Sequence, residues 1–64
     1  MIVKDKNNNT VCIINEETEE VVMKYKGLKT EYLLPVGLSI KVERNKTTTY
    51  IYHKTKNEYE ITFR

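Results

Sequence analysis

Between Leu38 and Phe63 three apolar alternations follow one another, separated by two short polar turns. Leu38, Ile40 and Val42 alternate with Ser39, Lys41 and Glu43. Thr49, Ile51 and His53 alternate with Tyr50, Tyr52 and Lys54, and Tyr59, Ile61 and Phe63 alternate with Glu60 and Thr62. Successive side chains of a pleated strand point to opposite faces, so a period of two predicts strands with one buried face. The turns set the register. Two residues at Asn45-Lys46 place Ile40 opposite Ile51 and Leu38 opposite His53, with Lys41 facing Tyr50 and Ser39 facing Tyr52 on the other side. At the next turn, two residues at Lys56-Asn57 would carry Tyr59, Ile61 and Phe63 to the face of Tyr50 and Tyr52. A three-residue turn, Thr55-Lys56-Asn57 with Asn57 left-handed, aligns Ile51 with Ile61, Thr49 with Phe63 and His53 with Tyr59. We expect the latter because it leaves one continuous core face, with Tyr50 and Tyr52 outside.

Upstream, Met1 to Lys4 reads as a short strand and Lys6-Asn7-Asn8-Asn9 as a turn, since Asn tolerates a left-handed backbone. Thr10 to Asn15 and Glu20 to Lys26 are the next strands, joined through Glu16, Glu17, Thr18 and Glu19. Matching apolar with apolar sets Ile14 opposite Val21, Cys12 opposite Met23, Ile2 opposite Ile13 and Val3 opposite Cys12. Both faces of the second strand are then apolar, and such a strand must be covered twice, on one side by a loop or a second subunit. Gly27 to Gly37 contains Pro35, which cannot donate to a ladder, so we expect a crossover there, with at most one helical turn at Lys29 to Leu34. Tyr32, Leu33 and Leu34 are too apolar for a free loop. They predict a plug for one end of the core or a partner-binding lip.

A chain of 64 residues is one domain with a marginal core, because a domain of this size buries only about 60% of its unfolded surface. Cys12 is the only cysteine and His53 the only histidine, so neither an internal disulfide nor a Cys/His zinc site is available to staple it. Self-association remains, and a homodimer is expected. The formal charge of +2 is too small to imply nucleic acid by itself. Residues 1–37 carry five lysines against six acidic residues, whereas residues 38–64 carry six Lys and Arg against three glutamates, so the C-terminal hairpins are the basic half. No window approaches the ~20 apolar residues of a membrane span and no leader pattern opens the chain, so a soluble, cytoplasmic protein is expected. The sequons at Asn8 and Asn45 read as turns.

No catalytic residue, metal or cofactor is expected. The only serine, Ser39, has no glycine elbow or histidine partner, and Gly27 and Gly37 form no phosphate loop. Glu16, Glu17, Glu19 and Glu20 lack the spacing of a calcium loop and read as a solvated hairpin tip, or as a handle for a basic partner. Cys12, among Val11, Ile13 and Ile14, reads as a buried hydrophobe rather than a nucleophile. His53 is expected partly buried at a rim, hydrogen-bonded to Tyr59.

The sharpest clue to binding is the outer face. Tyr50 and Tyr52, flanked by Lys41, Lys54 and Arg44, resemble in outline the stacking platforms of small OB and cold-shock barrels, which would imply bases on the rings and phosphates on the lysines. Glu43 and Glu60 on the same face oppose that. Exposed Tyr with Arg is also the composition of a protein-binding hot spot, and Tyr stabilises strands in its own right. The chain as a whole reads as all-β: a five-stranded antiparallel meander or partly closed barrel of SH3 or OB size, with Gly27 to Gly37 as its crossover. Val3, Cys12, Ile14, Val21, Met23, Leu38, Ile40, Val42, Ile51, Ile61 and Phe63 are the expected core.

Richness in Asn, Lys, Thr, Ile and Tyr points to an AT-rich coding genome, and a short chain with a start methionine suits a bacteriophage accessory protein. Small phage β-proteins that it resembles in size are often inhibitors of host enzymes or defences. The expected function is therefore a non-catalytic inhibitor or adaptor that binds a larger protein. A single-stranded nucleic-acid-binding barrel and a structural subunit with pairing strand edges are the alternatives.

Overall fold

Left-handed backbone marks nearly every reversal of the chain. Asn8 (φ 67°), Glu19 (φ 64°), the pair Lys26 (φ 51°) and Gly27 (φ 80°), and the pair Asn45 (φ 50°) and Lys46 (φ 62°) all lie between strands. Positive φ at both central residues of a two-residue loop defines the hairpin turn whose twist matches the flanking strands. The computed structural model describes residues 1–64 and is all-β. Its strands are β1 (Ile2–Lys4), β2 (Thr10–Asn15), β3 (Glu20–Tyr25), β4 (Leu28–Leu33), β5 (Ser39–Arg44), β6 (Thr47–Thr55) and β7 (Glu58–Phe63). They form two antiparallel sheets in sequence order, β1-β2-β3-β4 and β5-β6-β7. The expected five-stranded meander is thus replaced by seven strands in two sheets, and no ladder pairs β4 with β5 to close a barrel.

The largest departure from the sequence reading lies in Gly27 to Gly37. The Lys26-Gly27 turn sends the chain back along β3, with Tyr25 opposite Leu28, Met23 opposite Thr30 and Val21 opposite Tyr32. Most of the expected crossover, and the possible helical turn at Lys29 to Leu34, is therefore the edge strand β4. The connection between sheets shrinks to residues 34–38, where Gly37 (φ 91°) makes the bend. Leu34 alone keeps the role of a plug and is buried in the core.

The registers read from apolar matching hold where ladders form. Ile2 faces Ile13 and Val3 faces Cys12, and Ile14 faces Val21. Ile40 faces Ile51 and Lys41 faces Tyr50, and Ile51 faces Ile61 with Thr49 opposite Phe63 and His53 opposite Tyr59. The last alignment is reached by another device than a left-handed Asn57, which is absent from the positive-φ residues. An irregularity between His53 and Thr55 absorbs the extra residue, and Thr55 then faces Glu58 across a two-residue turn. A bulge shifts the register by one just as a longer loop does.

The core lies between the sheets. Val3, Val11, Cys12, Ile14, Val21, Leu34, Val42 and Ile51 form one cluster, edged by Met23, Ile40, Tyr59 and Ile61. Leu38 and Phe63, expected inside, are about half exposed, because each sits at the end of its alternation where the opposite sheet no longer covers it. Asp5, Thr47, Thr49 and His53 are the buried polar residues, four of twelve buried positions, so polar contacts take a large part in joining the sheets. At one end Asp5 Oδ1 accepts from the Asn7 and Asn9 N–H groups, both at 2.9 Å, and so closes the β1–β2 turn. Thr47, which opens β6, lies against the same carboxylate, with Oγ1 3.4 Å from Oδ2, while donating to the Arg44 carbonyl at 2.6 Å. At the other end His53 reaches across to the connection after β4.

Candidate functional surfaces

The outer face of the β5-β6-β7 sheet carries the tyrosines as expected. Ser39, Tyr52 and Glu60 form one row across it, and Lys41, Tyr50 and Thr62 the next. Its cations are engaged. Lys41 Nζ lies 3.0 Å from Glu43 and Lys54 Nζ 3.3 Å from Glu60, and the Glu43 hydrogen bond raises the Lys41 pKa above its ordinary value. The Arg64 guanidinium lies 5.1 Å from the Tyr50 ring centroid, a cation–π distance. Arg44 does not belong to this face. It follows Ile40 and Val42 in the inward alternation, stacks at 4.6 Å on Tyr25 of the other sheet, and reaches the Lys24 carbonyl at 3.5 Å. Ser39, Thr62, Phe63 and Arg64 rim a shallow depression beside Tyr50 and Tyr52. Two lysines each paired with a glutamate make this a mixed-charge, aromatic surface rather than a positive one.

The expected lip of Tyr32, Leu33 and Leu34 is divided. Leu34 is buried, whereas Tyr32 and Leu33 stand on opposite faces of β4 and are both exposed. All six β4 residues are exposed, and Leu28 at 73% and Leu33 at 64% are the most exposed of the large apolar side chains. Where β4 and β5 part, Met23 and Tyr32 face Ile40, Lys41, Val42 and Glu43 across an open groove. On the outer side of the same sheet, cross-strand pairing lines up Ile2, Ile13 and Val22 in one row that ends at Glu31. Ile2 is 61% exposed and Ile13 about half exposed. Ile2, Ile13, Val22 and Leu28 were not singled out as site residues. The signal for Ile13 is the presence of apolar residues on both faces of β2, and Ile2 and Val22 join it as its cross-strand partners.

Inside, His53 is wholly buried and not at a rim. It meets Tyr59 by stacking rather than by a hydrogen bond, with ring centroids 4.0 Å apart and planes 11° from parallel. Nδ1 faces the Leu34 carbonyl at 2.8 Å and Glu19 Oε2 at 3.5 Å, both acceptors, so the Nδ1 proton donates to Leu34. Nε2 lies 3.3 Å from the Lys56 carbonyl. Through Nδ1 the imidazole ties β6 to the β4 exit, while Nε2 lies beside the β6–β7 turn. Burial, with Glu19 and Glu16 adding to it, raises the Tyr59 pKa, and that hydroxyl has no protein partner. Burial also pushes the Cys12 thiol up to about 11, which keeps it protonated at neutral pH and a poor nucleophile. The acidic tip is shaped by Asn15, whose Oδ1 accepts from the Glu17 and Thr18 N–H groups at 3.0 and 3.3 Å. No group of three or more His, Cys, Asp or Glu side chains converges as a metal site.

No family model, curated protein or solved structure matches this chain.

Proposed function

We propose that the protein is a small non-catalytic protein-binding module, acting as an inhibitor or adaptor of a larger protein, of the kind phages use against host enzymes, and working as a homodimer. The observation that carries this reading is the apolar row Ile2, Ile13 and Val22 across the outer face of the β1-β2-β3-β4 sheet, with Leu33 close by. Aliphatic side chains aligned on a solvated sheet cost solubility and return only modest cross-strand contacts, because the core lies on the other side. Contiguous apolar surface of this kind marks an interaction site. A sheet face also presents a rigid platform, so little ordering is lost when it is covered.

The tyrosine face supports nucleic acid less well. A phosphate would have to displace Glu43 from Lys41 and Glu60 from Lys54, and the two carboxylates would remain beside it. The test compares surfaces. Partners captured by the wild-type chain from a host extract are expected to be lost on Ile13→Lys and kept on the double variant Tyr50→Ala, Tyr52→Ala. Light scattering with a short single-stranded oligonucleotide at low salt is expected to show no complex. Capture that survives Ile13→Lys, or an oligonucleotide complex that dissolves as salt rises and is lost with the tyrosines, would overturn the reading.

A further inference from the structure

The strand β4 is an edge with no partner, and its sequence is complementary to itself. Leu34 N–H donates to the Glu19 carbonyl on the β3 side at 2.8 Å. In an antiparallel ladder this direction alternates along the strand. The N–H and C=O groups of Leu28, Thr30 and Tyr32 therefore point to β3, and those of Lys29, Glu31 and Leu33 point to the free edge. Natural sheets blunt such an edge with proline, bulges, charged side chains or a covering loop, and the charges on this edge, Lys29 and Glu31, are of opposite sign. β4 contains no proline, its ladder with β3 is regular from Glu20–Leu33 to Tyr25–Leu28, and all six of its residues are exposed.

We propose that β4 pairs antiparallel with β4 of a second copy about a two-fold axis at Thr30, giving one continuous eight-stranded sheet. The inference specifies the dimer within the protein-binding reading and rests on that reading for its purpose. A two-fold axis normal to the sheet pairs only residues that share a face, which leaves few registers. With the axis at Glu31, that carboxylate meets its own copy, and with the axis at Lys29, two ammonium groups meet. With the axis at Thr30, Lys29 lies opposite Glu31 of the second copy, twice, and these are the residues whose backbone groups point outward. Each such pair can exchange both N–H···O=C bonds. On the other face Leu28 falls opposite Tyr32 of the second copy, so two large side chains that the monomer leaves exposed cover each other. Within one chain Lys29 Nζ already lies 3.1 Å from Glu31 Oε1, so both charged groups stand on the face where the inter-chain pairs would form. Opposite charges directly across an antiparallel pair stabilise it and like charges destabilise it.

Charge exchange separates this pairing from other modes of association. Sedimentation equilibrium at chain concentrations from about 1 to about 100 µM, a range that spans weak to moderate association, is expected to show a dimer for the wild type. Lys29→Glu and Glu31→Lys, each of which places like charges opposite one another, are expected to raise the dissociation constant at least about tenfold. The double variant Lys29→Glu, Glu31→Lys restores the pairing and the dimer. Glu31→Pro removes an outward N–H at an edge position where proline is tolerated and gives a monomer with an unchanged circular dichroism spectrum. If that variant unfolds, the charge variants still decide the matter. A wild-type monomer at about 100 µM, or a dimer equally strong in both single charge variants, would overturn the β4 pairing. Neither result touches the Ile13→Lys capture experiment: a monomer would also remove the homodimer from the proposed function but leave capture of a larger protein standing, and loss of capture would leave the edge pairing standing.

Discussion

The two sheets use their faces differently. In β5-β6-β7, β6 is central and its inward residues Thr49, Ile51 and His53 are wholly buried, while the outward side is finished with tyrosines and exposed lysine–glutamate pairs. In β1-β2-β3-β4 the inward side supplies most of the core, yet the outward side still carries Ile2, Ile13 and Val22, and the edge strand is exposed along its whole length. The β5-β6-β7 sheet is complete as it stands, and the β1-β2-β3-β4 sheet is finished on one side only. Burial on one face makes a strand readable and stable within one chain, whereas apolar residues on both faces imply a second covering layer.

The strongest way to break that contrast is to truncate one isoleucine in each sheet. Ile51→Ala, at the centre of β6 with no exposed surface, is expected to cost about 2–5 kcal/mol, enough to unfold most of so small a domain. Ile13→Ala, half exposed on the outer row, is expected to cost under about 1 kcal/mol in urea unfolding at low micromolar concentration, since surface substitutions rarely cost more. Equal losses at the two sites would mean that the outer row is covered within one chain, and the contrast between sheets would collapse.

His53 tests what joins them. His53→Phe keeps a ring stacked against Tyr59 but removes the Nδ1 proton donated to the Leu34 carbonyl. A buried acceptor left without its donor costs about 1–3 kcal/mol. The urea midpoint should fall accordingly, with an unchanged dependence on denaturant. A neutral result would show that the burial of Leu34 and the backbone hydrogen bonds of the connection, such as Leu34 N–H to Glu19 and Gly37 N–H to His53, hold it without the imidazole.

The opposite junction titrates. The N–H of Asn9 above all, with that of Asn7, holds the Asp5 carboxyl below its ordinary value of 3.8. A carboxyl whose pKa is lower folded than unfolded binds more protons in the unfolded chain. Its contribution is therefore fully present above the unfolded value and is lost as pH falls through the folded one. Unfolding midpoints followed downward from about pH 5 should fall for the wild type and fall less for Asp5→Asn, with the two converging in acid. Parallel curves would show that another carboxylate governs acid sensitivity.

These differences follow what was legible in the residues. The registers around Ile51 could be read because one face is apolar and Asn45-Lys46 is a good two-residue turn, and the face reached by Phe63 was right although a bulge rather than Asn57 produces it. The strand β4 was not legible. Its alternation of Leu28, Thr30 and Tyr32 with Lys29, Glu31 and Leu33 is apolar on neither face consistently, as befits a strand that buries neither, and Lys26-Gly27 lacks the asparagine that advertises a hairpin. Proline and two glycines in the same stretch then favoured a crossover. The charge of Arg44 points to the tyrosine face, whereas the period of two carries it inward against Tyr25. The exposed row at Ile13 was foreshadowed only by the two apolar faces of β2.

The smallest expected effect is the most useful for function. Tyr52→Ala removes a partly exposed ring from the outer face of β6, opposite Ser39 and Glu60 and away from the core cluster. Its stability cost is expected to be about 0.5 kcal/mol or less, the usual range for a surface position. A variant this neutral to folding isolates the surface. If binding to a captured partner weakens with Tyr52→Ala while the unfolding midpoint stays in place, the interface lies on the finished sheet and the exposed row at Ile13 serves the dimer instead. If binding is unchanged, the aromatic face stabilises its own strands, and recognition stays with the sheet whose outer side the single chain leaves open.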